Sequence, residues 1–185
     1  SQKRFIHTQY KESDGSILHV LNGYFPQGEN RSHETKFPAK KKYYADLLSY
    51  LNENFTPQDN VVVMGDINVA PLDSDIGIGD NNSKRWLKTG KCAFLPEERE
   101  WLQKIYDWGL YDSYRTLNPN VNDRFSWFDY RSKGFDDTPK RGLRIDVILI
   151  SKPLIDRLVN AGISYSIRSM EKPSDHAPIF IELGD

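Results

Sequence analysis

The run "NVVVMGD", residues 60–66, constrains this chain more than any other. Three consecutive valines and a methionine form a short apolar stretch of mainly β-branched residues. Such a stretch packs poorly as a lone surface strand and suits a strand covered on both faces. A second apolar run, "LRIDVILIS" (143–151), carries Asp146 inside it. A chain with such strands needs layers on either side of a sheet, and the rest of the sequence supplies material for them.

Residues 4–10 and 17–24 read as two strands joined by the turn "ESDGS". Residues 38–55 read as an amphipathic helix, with Pro38 in the first turn and Tyr43, Tyr44, Leu47, Leu48, Leu51 and Phe55 at helical spacing. Residues 96–108 read as a second helix: Pro96 opens it, Glu97 and Glu98 lie in its first turn, and Gly109 follows its end. Between them, the stretch after Pro71 with Gly77, Gly79 and Gly90 reads as irregular. Further strands are expected at 123–129, 143–151, 162–168 and 177–183, with a polar loop "YRSKGFDDTPKRG" between the first two. The pattern predicts one domain over residues 1–185, a mixed α/β sandwich with its chemistry at strand ends and on loops.

Composition excludes several classes. The single cysteine, Cys92, permits no internal disulfide and points to a reducing compartment. No apolar run reaches membrane-spanning length. The formal net charge is −1, so a nucleic-acid partner would have to meet local positive charge. Such charge exists. "SKRWLKTGK" sets Lys84, Arg85, Lys88 and Lys91 around Trp86, and "DRFSWFDYRSKGF" interleaves Arg124, Arg131 and Lys133 with Phe125, Trp127, Phe128, Tyr130 and Phe135. Charge runs usually mark solvated faces, but cations mixed with aromatics on loops also suit phosphate contact with stacking. There is no GxGxxG, Walker-type loop, HExxH or paired CxxC, which disfavours nucleotide-driven and zinc-thiolate chemistry.

Four positions stand out chemically. Asp146 is either a structural acid satisfied by a neighbour or the partner of an imidazole. Of the histidines His7, His19, His33 and His176, only the last adjoins an acid, Asp175, and it precedes the final strand. A carboxylate on one ring nitrogen would fix its tautomer and leave the other free to act. Asp66 and Asn68 end the 60–66 strand. They are ordinary turn formers, or else a base and an amide projecting from a rigid edge.

Taken together, "NGYFPQG", "GDINVAP", "DIGIG", "GKCAFLPEEREW", "FSWFDYRSKGF", "LRIDVIL" and "SDHAP" resemble the exonuclease III branch of the endonuclease/exonuclease/phosphatase superfamily, the abasic-site repair nucleases. The resemblance runs from about Arg4 to Leu183. It implies an α/β fold, part of a four-layered α-β-β-α sandwich. It also implies hydrolysis of DNA phosphodiesters with Mg²⁺ or Mn²⁺, at abasic sites and from 3′ ends of double-stranded DNA, in a bacterial cytoplasm. By position, Asp66 would activate or position water, Asn68 would bind the scissile phosphate, and His176 with Asp146 would steady the developing charge. Tyr24 and Gln27 would reach phosphates. Asp175 would join the metal site. Trp127, with Leu143 and Ile145, would line a pocket for a flipped abasic sugar, beside the basic Arg131. The branch's "FNIN"-like and "QET"-like motifs, the latter carrying the main metal glutamate, do not occur in this sequence. The expectation is therefore the C-terminal portion of such a domain, completed by an N-terminal segment or by self-association. Two alternatives follow: an inactive DNA-binding fragment, or a phosphatase acting on a lipid or inositol phosphate.

Overall fold

Two sheets and a helical layer build the protein, seen in a computed structural model that describes residues 3–184. The larger sheet comprises β1 (Phe5–Lys11), β2 (Ile17–Tyr24), β3 (Asn60–Asp66), β5 (Asp146–Ser151) and the short β4 (Leu110–Asp112), in the order β1-β2-β3-β5-β4. Only the β2–β3 pair is parallel; the others are antiparallel. The crossover between β2 and β3 is α1 (Lys36–Asn54), as a parallel connection requires. The second sheet pairs β6 (Leu158–Ile163) with β7 (Ile179–Leu183).

The valine run behaves as its composition demands. Val61 and Val63 face a helical layer, where Tyr44, Leu47 and Leu51 of α1 and Leu102 and Ile105 of α3 (Pro96–Asp107) pack on them. Val62 faces the other way, with Ile148 and Ile150, toward Leu158, Ile179, Ile181 and Leu183 of the second sheet. Alternate residues of one strand thus enter two cores. β2 and β3 approach closely at their ends. Gly23 lies opposite Gly65, and a Cβ on Gly65 (φ +133°) would stand 1.9 Å from the Gly23 carbonyl oxygen. The next register pair is Tyr24 and Asp66.

Three expectations need correction. Residues 123–129 form no strand. Trp127 makes only single bridges, to Leu143 and to His176, because Phe125 and Phe128 turn inward into a small aromatic core with Phe135 and Tyr165. Residues 162–168 are not one strand either. β6 starts earlier, at Leu158, and after Ile163 the chain turns at Ser164 into the helical turn α6 (Tyr165–Arg168). The alternation of "ISYSI" is compatible with both periods, and tertiary packing decides. The supposed irregular stretch contains a helix, α2 (Asp80–Thr89). It buries no residue fully and is closed by Gly90 at φ +74°, so its polar sequence carries little helical signature. The remaining helices are short: α4 (Ser113–Leu117) and α5 (Lys152–Ile155). Among the described residues no helix is long and apolar enough to cross a membrane.

Candidate active site

Sheet register assembles the site. Tyr24 of β2 is the register partner of Asp66 of β3, and Asp66 is the partner of Asp146 of β5. Three residues separated by 42 and 80 positions in sequence therefore form one row across adjacent strands. Directly opposed residues project from the same face of a sheet, so the row presents a phenol and two carboxylates together.

Past Asp66 the chain leaves the strand through Asn68, which adopts a left-handed conformation (φ +55°) tolerated by asparagine. Its amide N–H donates to Asp66 Oδ1 (2.9 Å), and its side-chain Nδ2 donates to Asp66 Oδ2 (2.9 Å) and to the Phe25 carbonyl (3.0 Å). Both Nδ2 protons are thus engaged, and contact with a phosphate oxygen requires exchange of one of them. The turn is held from beneath. Tyr44 donates to the Ile67 carbonyl (2.8 Å), and Lys40 Nζ donates to the Asn68 carbonyl (2.8 Å), to the Gln27 carbonyl (3.3 Å) and to Glu98. Lys40 and Glu98 are both wholly buried, and Glu98 also accepts the amides of Ala93 (2.9 Å) and Leu95 (2.8 Å). Sequence reasoning missed this pair. Lys40 falls on the apolar face of α1, and a lysine on that face was the available signal.

His176 Nδ1 lies 2.8 Å from Asp146 Oδ2. A carboxylate only accepts, so the shared proton belongs to Nδ1, and Nε2 is left without a protein partner among the described residues. Burial opposes charge on the imidazole, but the Asp146 carboxylate outweighs it and holds His176 above its ordinary value. For Asp66, burial comes first and the adjacent Asp146 charge second; together they push its carboxyl up to about 7. A carboxylate tuned there can accept a proton from water near neutral pH. Arg144, one residue before Ile145, is buried between Asp75 (2.7 Å) and Asp112 (2.6 Å) and pins the entry to β5.

The other expected residues are more dispersed. Tyr24 is exposed, with the Arg4 guanidinium over its ring. Gln27 is exposed, and its side-chain oxygen caps the Glu29 amide (2.6 Å). Trp127 donates from Nε1 to Asp175 Oδ2 (3.0 Å), which ties the tryptophan loop to the "SDH" segment. Leu143 and Ile145 are buried behind Trp127 rather than open to solvent. Arg131 is exposed, next to a cleft of about 170 Å³ whose lining includes Arg85, Trp86, Lys91, Trp127 and Arg141 and one acid, Asp129. Lys91 sits 3.7 Å above the Trp86 ring. The cleft joins the two basic, aromatic segments, a composition suited to phosphate and base or sugar. Among the described residues no three acidic, imidazole or thiolate side chains converge to hold a metal ion, and one oxygen of Asp175 accepts from the indole. The donors present therefore do not make up a cation site by themselves.

Known proteins resemble this chain in sequence and in fold. Residues 4–176 match the model of the endonuclease/exonuclease/phosphatase family. Exodeoxyribonuclease III of Haemophilus influenzae is 62% identical over 182 residues, 98% of this chain and 67% of that protein. The solved 3′-5′ exonuclease NExo of Neisseria meningitidis superposes with a TM-score of 0.85 at 33% identity, covering 99% of this chain and 66% of that one. An AP endonuclease from Archaeoglobus fulgidus superposes with a TM-score of 0.82 at 32% identity, covering 97% and 65%. The chain thus spans about two thirds of the length of each.

Proposed function

The chain belongs to the endonuclease/exonuclease/phosphatase family, in its exonuclease III branch, and from that premise we propose that it hydrolyses phosphodiester bonds of double-stranded DNA, at abasic sites and from 3′ ends. The observation that carries the reading is the Tyr24–Asp66–Asp146 row, with Asn68 bonded to its central acid and His176 to the acid at its end. It offers a base, a positioned imidazole and hydrogen-bond donors within one strand-end cluster. Asp66 takes the proton of the attacking water. His176, held through Nδ1, turns Nε2 toward a non-bridging phosphate oxygen and stabilises charge as it develops. Tyr24 donates its phenolic hydroxyl to the same phosphate. Asn68 exchanges one amide proton from Asp66 or Phe25 to a phosphate oxygen, and Gln27 meets a neighbouring phosphate. Trp127 and the basic cleft beside it receive sugar and backbone.

Nucleases of this family depend on a divalent cation, here proposed as Mg²⁺ or Mn²⁺, which supplies charge neutralisation at the phosphate. The donors among the described residues are incomplete for such an ion, and the roles assigned here belong to the chain's own side chains. That same incompleteness favours one second reading: a chain that binds DNA and does not cut it. The aromatic lining of the cleft, Trp86 and Trp127, favours a nucleic acid over a lipid or inositol phosphate as substrate.

The test is to incubate the purified chain with an abasic duplex, a 3′-recessed duplex and a soluble phosphoinositide, each with Mg²⁺ or Mn²⁺. Cleavage of the DNA substrates alone supports the nuclease. Salt-sensitive DNA binding without cleavage identifies the second reading. Turnover confined to the phosphoinositide overturns both.

A further inference from the structure

We propose that Ser126 is the positioning residue that sets the Asp146–His176 pair, by holding both partners through their backbones from one buried point; the proposal rests on the nuclease reading above. The two partners come from different sheets. Asp146 opens β5 of the larger sheet, and His176 lies on the segment leading into β7 of the smaller one. Among the described residues no strand ladder joins these sheets; the connection runs through the Trp127 loop, which bridges Leu143 on one side and His176 on the other.

Ser126 supplies that connection. It is fully buried, in the loop that carries Trp127. Its Oγ accepts the amides of Ile145 and Asp146, each at 3.0 Å. Its carbonyl accepts the amide of Ala177 (2.7 Å), the residue next to His176, and its own amide donates to the Leu143 carbonyl (3.0 Å). The hydroxyl therefore fixes the residue bearing the acid, and the carbonyl fixes the neighbour of the imidazole. The need arises from the sheet itself. On one side β5 pairs with β3 as far as Asp146, but on the other β4 reaches only from Ser151 to Leu149. Among the described residues no strand lies on that edge at the start of β5, and a hydroxyl with two acceptor lone pairs stands in for the missing ladder carbonyls.

Ser113 provides the control. It is also buried and also bonds β5, through Oγ to the Ile148 carbonyl (2.7 Å), but it touches neither partner of the pair. The experiment records imidazole ¹⁵N shifts of the chain at alkaline pH, with His176 assigned by His176→Gln. In the unsubstituted chain His176 is expected as the Nδ1–H tautomer, because Asp146 accepts from Nδ1. Ser126→Ala is expected to lose that single tautomer and give a mixture with Nε2–H. Ser126→Thr, which keeps the oxygen, and Ser113→Ala are expected to retain it. If Ser126→Ala does not fold, Ser126→Cys, whose sulfur accepts weakly, is expected to give a partial loss in the same direction. An unchanged tautomer in Ser126→Ala, or in Ser126→Cys where the alanine variant is unfolded, overturns the proposal. So does an equal loss in Ser113→Ala. With DNA as substrate, turnover in Ser126→Ala should fall on the order of 10²-fold with KM little changed, the scale of a small misplacement of a catalytic group. If the unsubstituted chain does not cleave DNA, the nuclease reading fails, and the tautomer result still decides the role of Ser126.

Discussion

Lys40→Met is the perturbation whose magnitude the structure defines best. The ammonium is wholly buried and donates to three acceptors: Glu98, the Asn68 carbonyl and the Gln27 carbonyl. Methionine can follow the aliphatic stem, so little cavity is created. The loss is electrostatic. Glu98 keeps the Ala93 and Leu95 amides but becomes a buried charge without a counter-ion, and two carbonyls lose their donor. Breaking a buried pair by removing one partner destabilises by about 3–5 kcal/mol. At roughly 2–4 °C per kcal/mol for a chain of this size, the melting temperature should fall by roughly 6–20 °C. Adding Glu98→Gln to Lys40→Met removes the stranded charge and should recover part of the loss, a coupling of about 0.5–3 kcal/mol. DNA cleavage should fall in both variants, because the Asn68 and Gln27 turns lose the tether they share. Urea denaturation of the wild type, both single variants and the double variant measures the cycle. A loss below about 1 kcal/mol for Lys40→Met, the range of a solvated surface pair, would refute the reasoning.

Other expectations follow from the same geometry. Asp146→Asn should preserve the fold and lower turnover with little change in KM, since an amide lacks the carboxylate's charge and can donate as well as accept, so the His176 tautomer is no longer fixed; unchanged turnover at saturating DNA would dissolve the pairing. Trp127→Ala should slow abasic cleavage more than plain phosphodiester cleavage, by about 1–3 kcal/mol if the indole contacts the sugar as stacking residues do; equal slowing would make Trp127 structural. The proton-accepting form of Asp66 is the deprotonated one, and its carboxyl is raised to about 7, so the rate should climb as pH rises through that value. The linkage runs opposite to the usual acid. A folded-state value above the unfolded one of about 3.9 gives stability at low pH that is lost as pH rises from there toward 7. Asp66→Asn should therefore abolish cleavage and raise stability at alkaline pH relative to the wild type, which thermal unfolding at two pH values would measure.

Much of this protein was legible in the chain. The strands at 17–24 and 60–66 fall where the β-branched runs place them, and α1 and α3 follow their apolar spacing and proline starts within two residues. Those signals are local: backbone sterics, the helical period and a proline at the first turn act over a few residues. The candidate residues Asp66, Asn68, Asp146 and His176 stand out in the chain for a related reason, since acids and an imidazole at the ends of apolar strands are conspicuous. Their partnerships were a different matter. That Tyr24, Asp66 and Asp146 form one row is decided by register, a property of pairs of strands. That residues 162–168 break into a strand end and a helical turn was decided by packing, because "ISYSI" fits both periods. The supports of the site were least visible. Lys40, the first of three consecutive lysines, shows only by its place on the apolar face of its helix, and Ser126 in an aromatic loop looks ordinary in one dimension. Each acquires its role only when burial removes water and leaves distant carbonyls or amides to be satisfied by it.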